Sequence, residues 1–296
     1  MDNLQQERHS WIKFLILFSW LFGYGLLTVL ASSGGPQINL EDVNMKPLLY
    51  FGQIIGVILL FVGPAFLFAG TWTKARIHYL GITTKASALT LLLASLGILA
   101  AFPLINWLAG LNEQMHLPAA LHGMEEWMKS SEEQAAKLTE IFTRGTSVGG
   151  LILNLFVVAF MAAFSEELFF RGVLQKVLIE CFKNKHVGIW IGAAFFSAFH
   201  MQFYGFIPRM LMGGFLGYLF LWSGSIWPGM MAHFMNNGTA VFLAWLSNRG
   251  AISSDVDKVG SETGQLTYVL ISAILVAACL ITIYRVESKK KTASFT

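Results

Sequence analysis

Charge is what this sequence has least of. Only 12% of its 296 residues are charged, while 55% are hydrophobic. A soluble domain carries roughly 25% charged residues. Too few charges are present to coat a soluble globule of this length, so a cytosolic enzyme of one or two domains is excluded. Cysteine is scarce too. Cys181 and Cys279 lie in or beside apolar stretches. Two such thiols make no disulfide framework and read as structural filler. Long polar tracts are missing, and 25 Phe, 9 Trp and 12 Met exclude disorder. A net charge of +3 is small for binding nucleic acid, and no nucleic-acid partner is expected. No internal repeat or low-complexity segment stands out.

Long apolar runs are what the chain does have. A bilayer span needs about 20 mostly apolar residues. The runs fall at 11–31, 48–70, 86–110, 148–182, 187–203, 205–222, 225–246 and 265–286. They predict an all-α, polytopic transmembrane bundle of about eight spans. The first run follows Arg8 and Lys13 like a signal peptide, but it is too long for an h-region and reads as an uncleaved helix. The stretch 148–182 would be about 50 Å long as a helix, against a core of roughly 30 Å. Its last turns, with Lys176, Glu180 and Lys183, are expected to leave the membrane or bend along it. Between the third and fourth runs, Leu121, Met124, Trp127, Met128, Leu138, Ile141 and Phe142 recur at helical spacing. They predict an extra amphipathic helix at the membrane interface, lying on the surface or acting as a lid. Lys and Arg concentrate on one side when both termini are placed in the cytoplasm, as the positive-inside rule requires. The expected division is 1–110 as a three-span segment, 111–147 as the amphipathic loop, 148–247 as a catalytic core, and 248–296 as a last span with a basic tail.

The few ionisable residues inside the runs are Glu166, Glu167, Arg171, His200, Arg209 and His233. Each charge at bilayer depth costs roughly 2.5–3.5 kcal/mol on insertion scales, so such groups mark a functional site by default. Glu167 and Arg171 are four apart on one helical face, acid first, the favourable orientation for a supporting pair. Glu166 is turned by about 100° and is free for chemistry. A lone histidine on an apolar helix is ordinarily a satisfied core residue, but His200 has a counterpart. With a turn near Asn184, Glu166 lies 18 residues before it and His200 16 after it. Both then sit about 25 Å from the turn, and antiparallel helices on a short loop pack as neighbours. His233 and Asn237 again share a face. Ser225 reads as the cap of their helix and Pro228 as part of its first turn. Arg209 reads equally as a snorkelling anchor and as a clamp for a substrate carboxylate. Gly213 and Gly217 permit close helix packing.

A carboxylate and an imidazole meeting in a membrane cavity suit water activation, with Glu166 as base and His200 as its partner. His233 and Asn237 suit a tetrahedral oxyanion. No Gly-x-Ser-x-Gly nucleophile and no HExxH motif is present. Glu166, His200 and His233 form a possible three-ligand set for a metal such as zinc.

The ordered motifs Glu166-Glu167-x-x-x-Arg171, Phe196-x-x-x-His200 and His233-x-x-x-Asn237 resemble those of CAAX-type intramembrane endopeptidases. This is the type II CAAX prenyl protease-like group, also called the CPBP or Abi family. The resemblance covers roughly 151–246. It implies an eight-helix bundle with a conical cavity. Glu166 is implied as base and His200 as its partner, His233 and Asn237 as oxyanion site, and Glu167 with Arg171 as support. The family has been named metalloprotease, yet its structural reading favours a metal-free mechanism, so no cofactor is expected. The implied substrate is a membrane-bound or lipidated protein or peptide. Two other classes compete. One is a proton- or ion-coupled transporter, which would show inverted repeats and broken helices; neither is expected here. The other is a non-catalytic immunity or scaffold protein.

Overall fold

The computed structural model describes residues 3–34, 46–253 and 265–293; side chains at 3–8, 26–34 and 291–293 are outside the described set. Parts of the expected end segments, at 1–2, 35–45, 254–264 and 294–296, therefore lie outside the described residues. Among the described residues the chain is helical, with no strand.

Ten helices carry the fold. They are α1 (Asn3–Gly34), α2 (Lys46–Trp72), α3 (Ala88–Ala100), α4 (Phe102–Glu113), α5 (His122–Thr143), α6 (Val148–Phe182), α7 (Lys185–Phe199), α8 (Phe206–Ser223), α9 (Trp227–Asn248) and α10 (Leu266–Ala293). Among the described residues α2, α6, α8 and α10 are long and apolar enough to cross a membrane. The chain is an integral membrane protein. The expected count of about eight is not confirmed among the described residues. α3 and α4 pass only as one span bent by 44°, because Pro103 stands at the start of α4 and cannot continue the backbone ladder. That bend is a broken helix where none was expected. α7 is only 15 residues long, and α9 carries His233, Asn236 and Asn237 amid its apolar residues. The first run lies in α1, and its residues from Leu26 on are outside those with described side chains.

α6 is the central element. Its middle packs on α9 and its last turns on α1 and α7. In those last turns Gln175, Val177, Leu178 and Cys181 are buried against the neighbouring helices. The Lys13 ammonium on α1 lies 2.7 Å from Glu180, and Lys176 donates to the carbonyl of Tyr79. The thiols of Cys181 and Cys279 are unlinked. α6 ends at Lys183, in the left-handed region at φ 50°. Asn184 then caps α7, its side-chain oxygen accepting from the N–H groups of His186 and Val187. The antiparallel hairpin expected from sequence thus has a defined corner. α7 in turn packs along α8. A Cβ at Gly213 would lie 3.0 Å from Ala193, so this glycine sets how closely α7 and α8 approach.

α8 turns into α9 through Gly224 at φ +66°. The cap is placed differently from the expectation. The residue before α9 is Ile226, and the Ser225 hydroxyl accepts from the N–H of Trp227 at 3.4 Å. Pro228 stands in the first turn as expected.

α5 is the expected amphipathic helix, with no residue buried in the bundle. It rests on the turn that follows α7. Trp127 packs against Phe203 at 5.3 Å, and Glu132 accepts from the N–H of Tyr204. Its far end is held where Phe142 meets Tyr50 and where Asn248 donates to the Thr143 carbonyl.

Candidate active site

The backbone of α6 is irregular around the predicted residues. The α-helical turns Ala162–Phe169 are flanked by wider π turns at Leu155–Met161 and Phe170–Leu174. π turns inside α-helices concentrate at functional sites because each re-aims the side chains that follow. Here the N–H of Phe170 is shared between the carbonyls of Glu166 and Glu167. The segment carrying both carboxylates is therefore set off from the regular ladder on each side.

Glu167 and Arg171 are fully buried. An Nη1 donor of Arg171 lies 2.7 Å from Glu167 Oε1, and Nη2 donates to the Gly213 carbonyl at 3.2 Å. The guanidinium also lies 4.6 Å from the Phe196 ring centroid. Burying either charge unpaired costs several kcal/mol, so each partner depends on the other; Glu167 Oε1 carries the bonds, and Oε2 is buried without a hydrogen-bond partner among the described atoms. Gly229 makes the room: a Cβ there would stand 2.7 Å from Glu167 Oε2. This glycine was missed in the sequence. The available signal was its position four residues before His233, on the same helical face.

His233, 2% exposed, places Nδ1 3.2 Å from the same Glu167 Oε1. A carboxylate only accepts, so Nδ1 carries the proton. The other nitrogen, Nε2, lies 3.9 Å from Glu166 Oε2. His200 repeats the arrangement from the opposite helix. Its Nδ1 is 2.8 Å from the Phe196 carbonyl, another acceptor, so Nδ1 again holds the proton. Its Nε2 lies 3.9 Å from Glu166 Oε2. Phe196 sits between the two imidazoles, 5.0 Å from His200 and 5.6 Å from His233. Glu166, 12% exposed, is the junction of the cluster. Its Oε2 is buried without a hydrogen-bond partner among the described atoms. At 3.9 Å it does not bond to either imidazole directly. A molecule held about 2.8 Å from both Glu166 Oε2 and His200 Nε2 would see them about 90° apart, within reach of the two O–H donors of one water.

Asn237 stands one turn beyond His233. Its side-chain oxygen accepts from Asn236 at 3.0 Å, which leaves its own amide N–H groups as donors. Asn236 thus orients its neighbour. Arg209 is engaged within the protein. Its Nη1 donates to the Gln202 carbonyl and Nη2 to the Gln202 side chain, both at 2.8 Å. It ties down the turn after His200, where Met201 holds φ 55°. Gln202 gave no signal in the sequence.

The alternative metal set does not fit well. Among the described residues no group of three or more His, Cys, Asp or Glu is arranged to hold an ion. Ligands at 2.0–2.1 Å from tetrahedral zinc would stand about 3.3 Å from one another, whereas both imidazoles are 3.9 Å from the carboxylate.

The fold and site together define a polytopic membrane protein with a carboxylate–imidazole cluster buried among its helices. Residues 148–239 match the family described as type II CAAX prenyl endopeptidase Rce1-like. This segment holds every residue of the cluster, and the resemblance drawn from the motifs is borne out there. The uncharacterized protein YpbD of Bacillus subtilis (strain 168) is 31% identical over 88 residues, which cover 28% of this chain and 42% of YpbD. The chain thus spans less than half the length of that relative. No solved structure matches.

Proposed function

We propose that the protein is an intramembrane endopeptidase that hydrolyses a peptide bond of a membrane-bound or lipidated protein. The observation that carries this reading is the convergence of Glu166 Oε2 with two imidazole Nε2 atoms, each 3.9 Å away, within an Rce1-like segment. Water donates to Glu166 and His200, and Glu166 takes its proton as it attacks the scissile carbonyl. The developing oxyanion is met by His233 and by the amide of Asn237. His233 can donate from Nε2 only as the imidazolium, because its Nδ1 proton is committed to Glu167. Glu167, anchored by Arg171, fixes the orientation of the His233 ring. Glu166 then returns its proton to the leaving amine.

The mechanism runs without a metal. The expected test result is that neither chelators nor removal of trace metals lowers activity; loss on chelation with recovery on zinc would overturn this part. Both termini face the cytoplasm in this reading.

The experiment for the activity is peptide cleavage by purified protein in detergent. Glu166→Ala and His200→Ala abolish cleavage while thermal stability is kept. Cleavage retained in both variants would remove the assignment. A transporter would share the carboxylate–imidazole cluster and the bend between α3 and α4, but no ionisable side chain stands at that bend. Proteoliposome flux that depends on Glu166 without hydrolysis would establish that class instead.

A further inference from the structure

A cavity lies at the other end of α7, about 20 Å along the helix from His200. Its volume is about 570 Å³, within the roughly 300–1,000 Å³ of small-molecule sites. It is formed by the first turn of α7, the last turn of α8 and the last turns of α10, so it opens where two membrane-spanning helices end.

Its lining has two characters. Leu280 and Ile281 make an apolar wall on α10. Ile281 is 51% exposed, so this wall continues the outward face of a membrane-spanning helix. Lys185 and His186 make the polar end. Among the described residues Lys185 has no carboxylate partner. The nearest acid on α10, Glu287, is buried and already engaged by Thr90 and Lys290. Three aromatic rings bridge wall and polar end: Trp222 lies 5.4 Å from both Tyr218 and Tyr284. The Tyr218 hydroxyl is 2.7 Å from His186 Nδ1, which fixes the imidazole at the rim. Tyr and Trp settle at the headgroup level of bilayers, and basic pockets between spans take anionic headgroups.

We infer that this cavity binds an anionic phospholipid, its phosphate at Lys185 and His186 and its upper acyl chain along Leu280 and Ile281. Charge complementarity selects the headgroup, and continuity with the outward face of α10 selects a lipid over a soluble phosphate.

Native mass spectrometry of the full-length protein in detergent tests this, with phosphatidylglycerol and phosphatidylcholine of matched chains as probes. The expected result is at least about fivefold greater retention of phosphatidylglycerol, the factor that one lysine at a membrane surface supplies. Lys185→Glu reduces it to the phosphatidylcholine level. Ile281→Trp, which fills the apolar wall without touching the charge, lowers retention as well and serves if Lys185→Glu does not fold. Equal retention of the two lipids, or no change in either variant, would overturn the inference. Inorganic phosphate displacing phosphatidylglycerol completely at millimolar concentration would overturn the choice of lipid as occupant.

Discussion

Two ion pairs of the same chemistry and spacing stand in different parts of this molecule. Glu140 and Arg144 lie at the end of α5, 3.6 Å apart, with side chains 68% and 75% exposed. Glu167 and Arg171 lie in α6, 2.7 Å apart, with side chains 1% and 2% exposed. In both, the acid precedes the base by four residues, so the helix brings them together in the same way. Water screens the first pair, which leaves it worth roughly 0–1 kcal/mol. The second has no water to fall back on. Its partners are a backbone carbonyl, an aromatic face and an imidazole, and each holds the others in place. Identical local sequence logic therefore yields a surface ornament in one place and a rigid charged frame in the other.

The largest break should come from the carboxylate that the frame supports. Glu166→Gln keeps the shape but removes the base, and cleavage is expected to fall by about 10²–10⁴-fold with an unchanged melting temperature. Parallel peptide-cleavage and thermal-melt measurements check this. A wild-type rate would place the base elsewhere.

Arg171→Ala should break the frame itself. It strands Glu167 and costs about 3–5 kcal/mol, readable as a large loss of thermal stability in detergent. A shift no bigger than that of a surface variant would show that Glu167 is held by other means. Gly229→Ala is a milder wedge. Its Cβ meets Glu167 Oε2, and overpacking of this kind costs about 1–3 kcal/mol. Because Glu167 also anchors His233, kcat is expected to fall more than KM rises.

The surface pair sharpens the contrast from below. Glu140→Ala should change stability by at most about 0.5 kcal/mol, and a larger effect would assign α5 a tighter seat on the bundle. The smallest expected effect is one of pH, also on α5. The His116 imidazole and then the Lys129 ammonium bond to Glu125 and hold its carboxyl below the usual carboxylate range. A depressed folded pKa adds stability above the ordinary carboxylate range, and that stability is lost as pH falls through the lowered value. Thermal melts of Glu125→Gln should accordingly lose this acid-side slope and match the parent once Glu125 is protonated.

The pairing of Glu167 with Arg171 was legible because a helix of either environment brings residues four apart together. The meeting of Glu166 with His200 was legible because a hairpin with a short turn fixes equal depths. What the sequence could not disclose were contacts made through backbone and space. Gly213, read from the sequence only as a packing residue, also accepts from Arg171 through its carbonyl, and Gly229 acts through an absent side chain. The partner of Arg209, Gln202, was not legible because it lies in a turn outside any periodic pattern. Apolar length alone did not reveal the bend at Pro103 or a helix as short as α7. The Ser225 cap was shifted because several residues at that corner can begin the helix.

The central claim is that Glu166 acts on water to cut a membrane-bound protein. N-terminal proteomics of cells carrying either the wild-type chain or Glu166→Gln at matched levels tests it most directly. New N-termini within or beside membrane segments, present with the wild-type chain and missing with the variant, are the predicted result. Identical sets of N-termini in the two cell lines would contradict it.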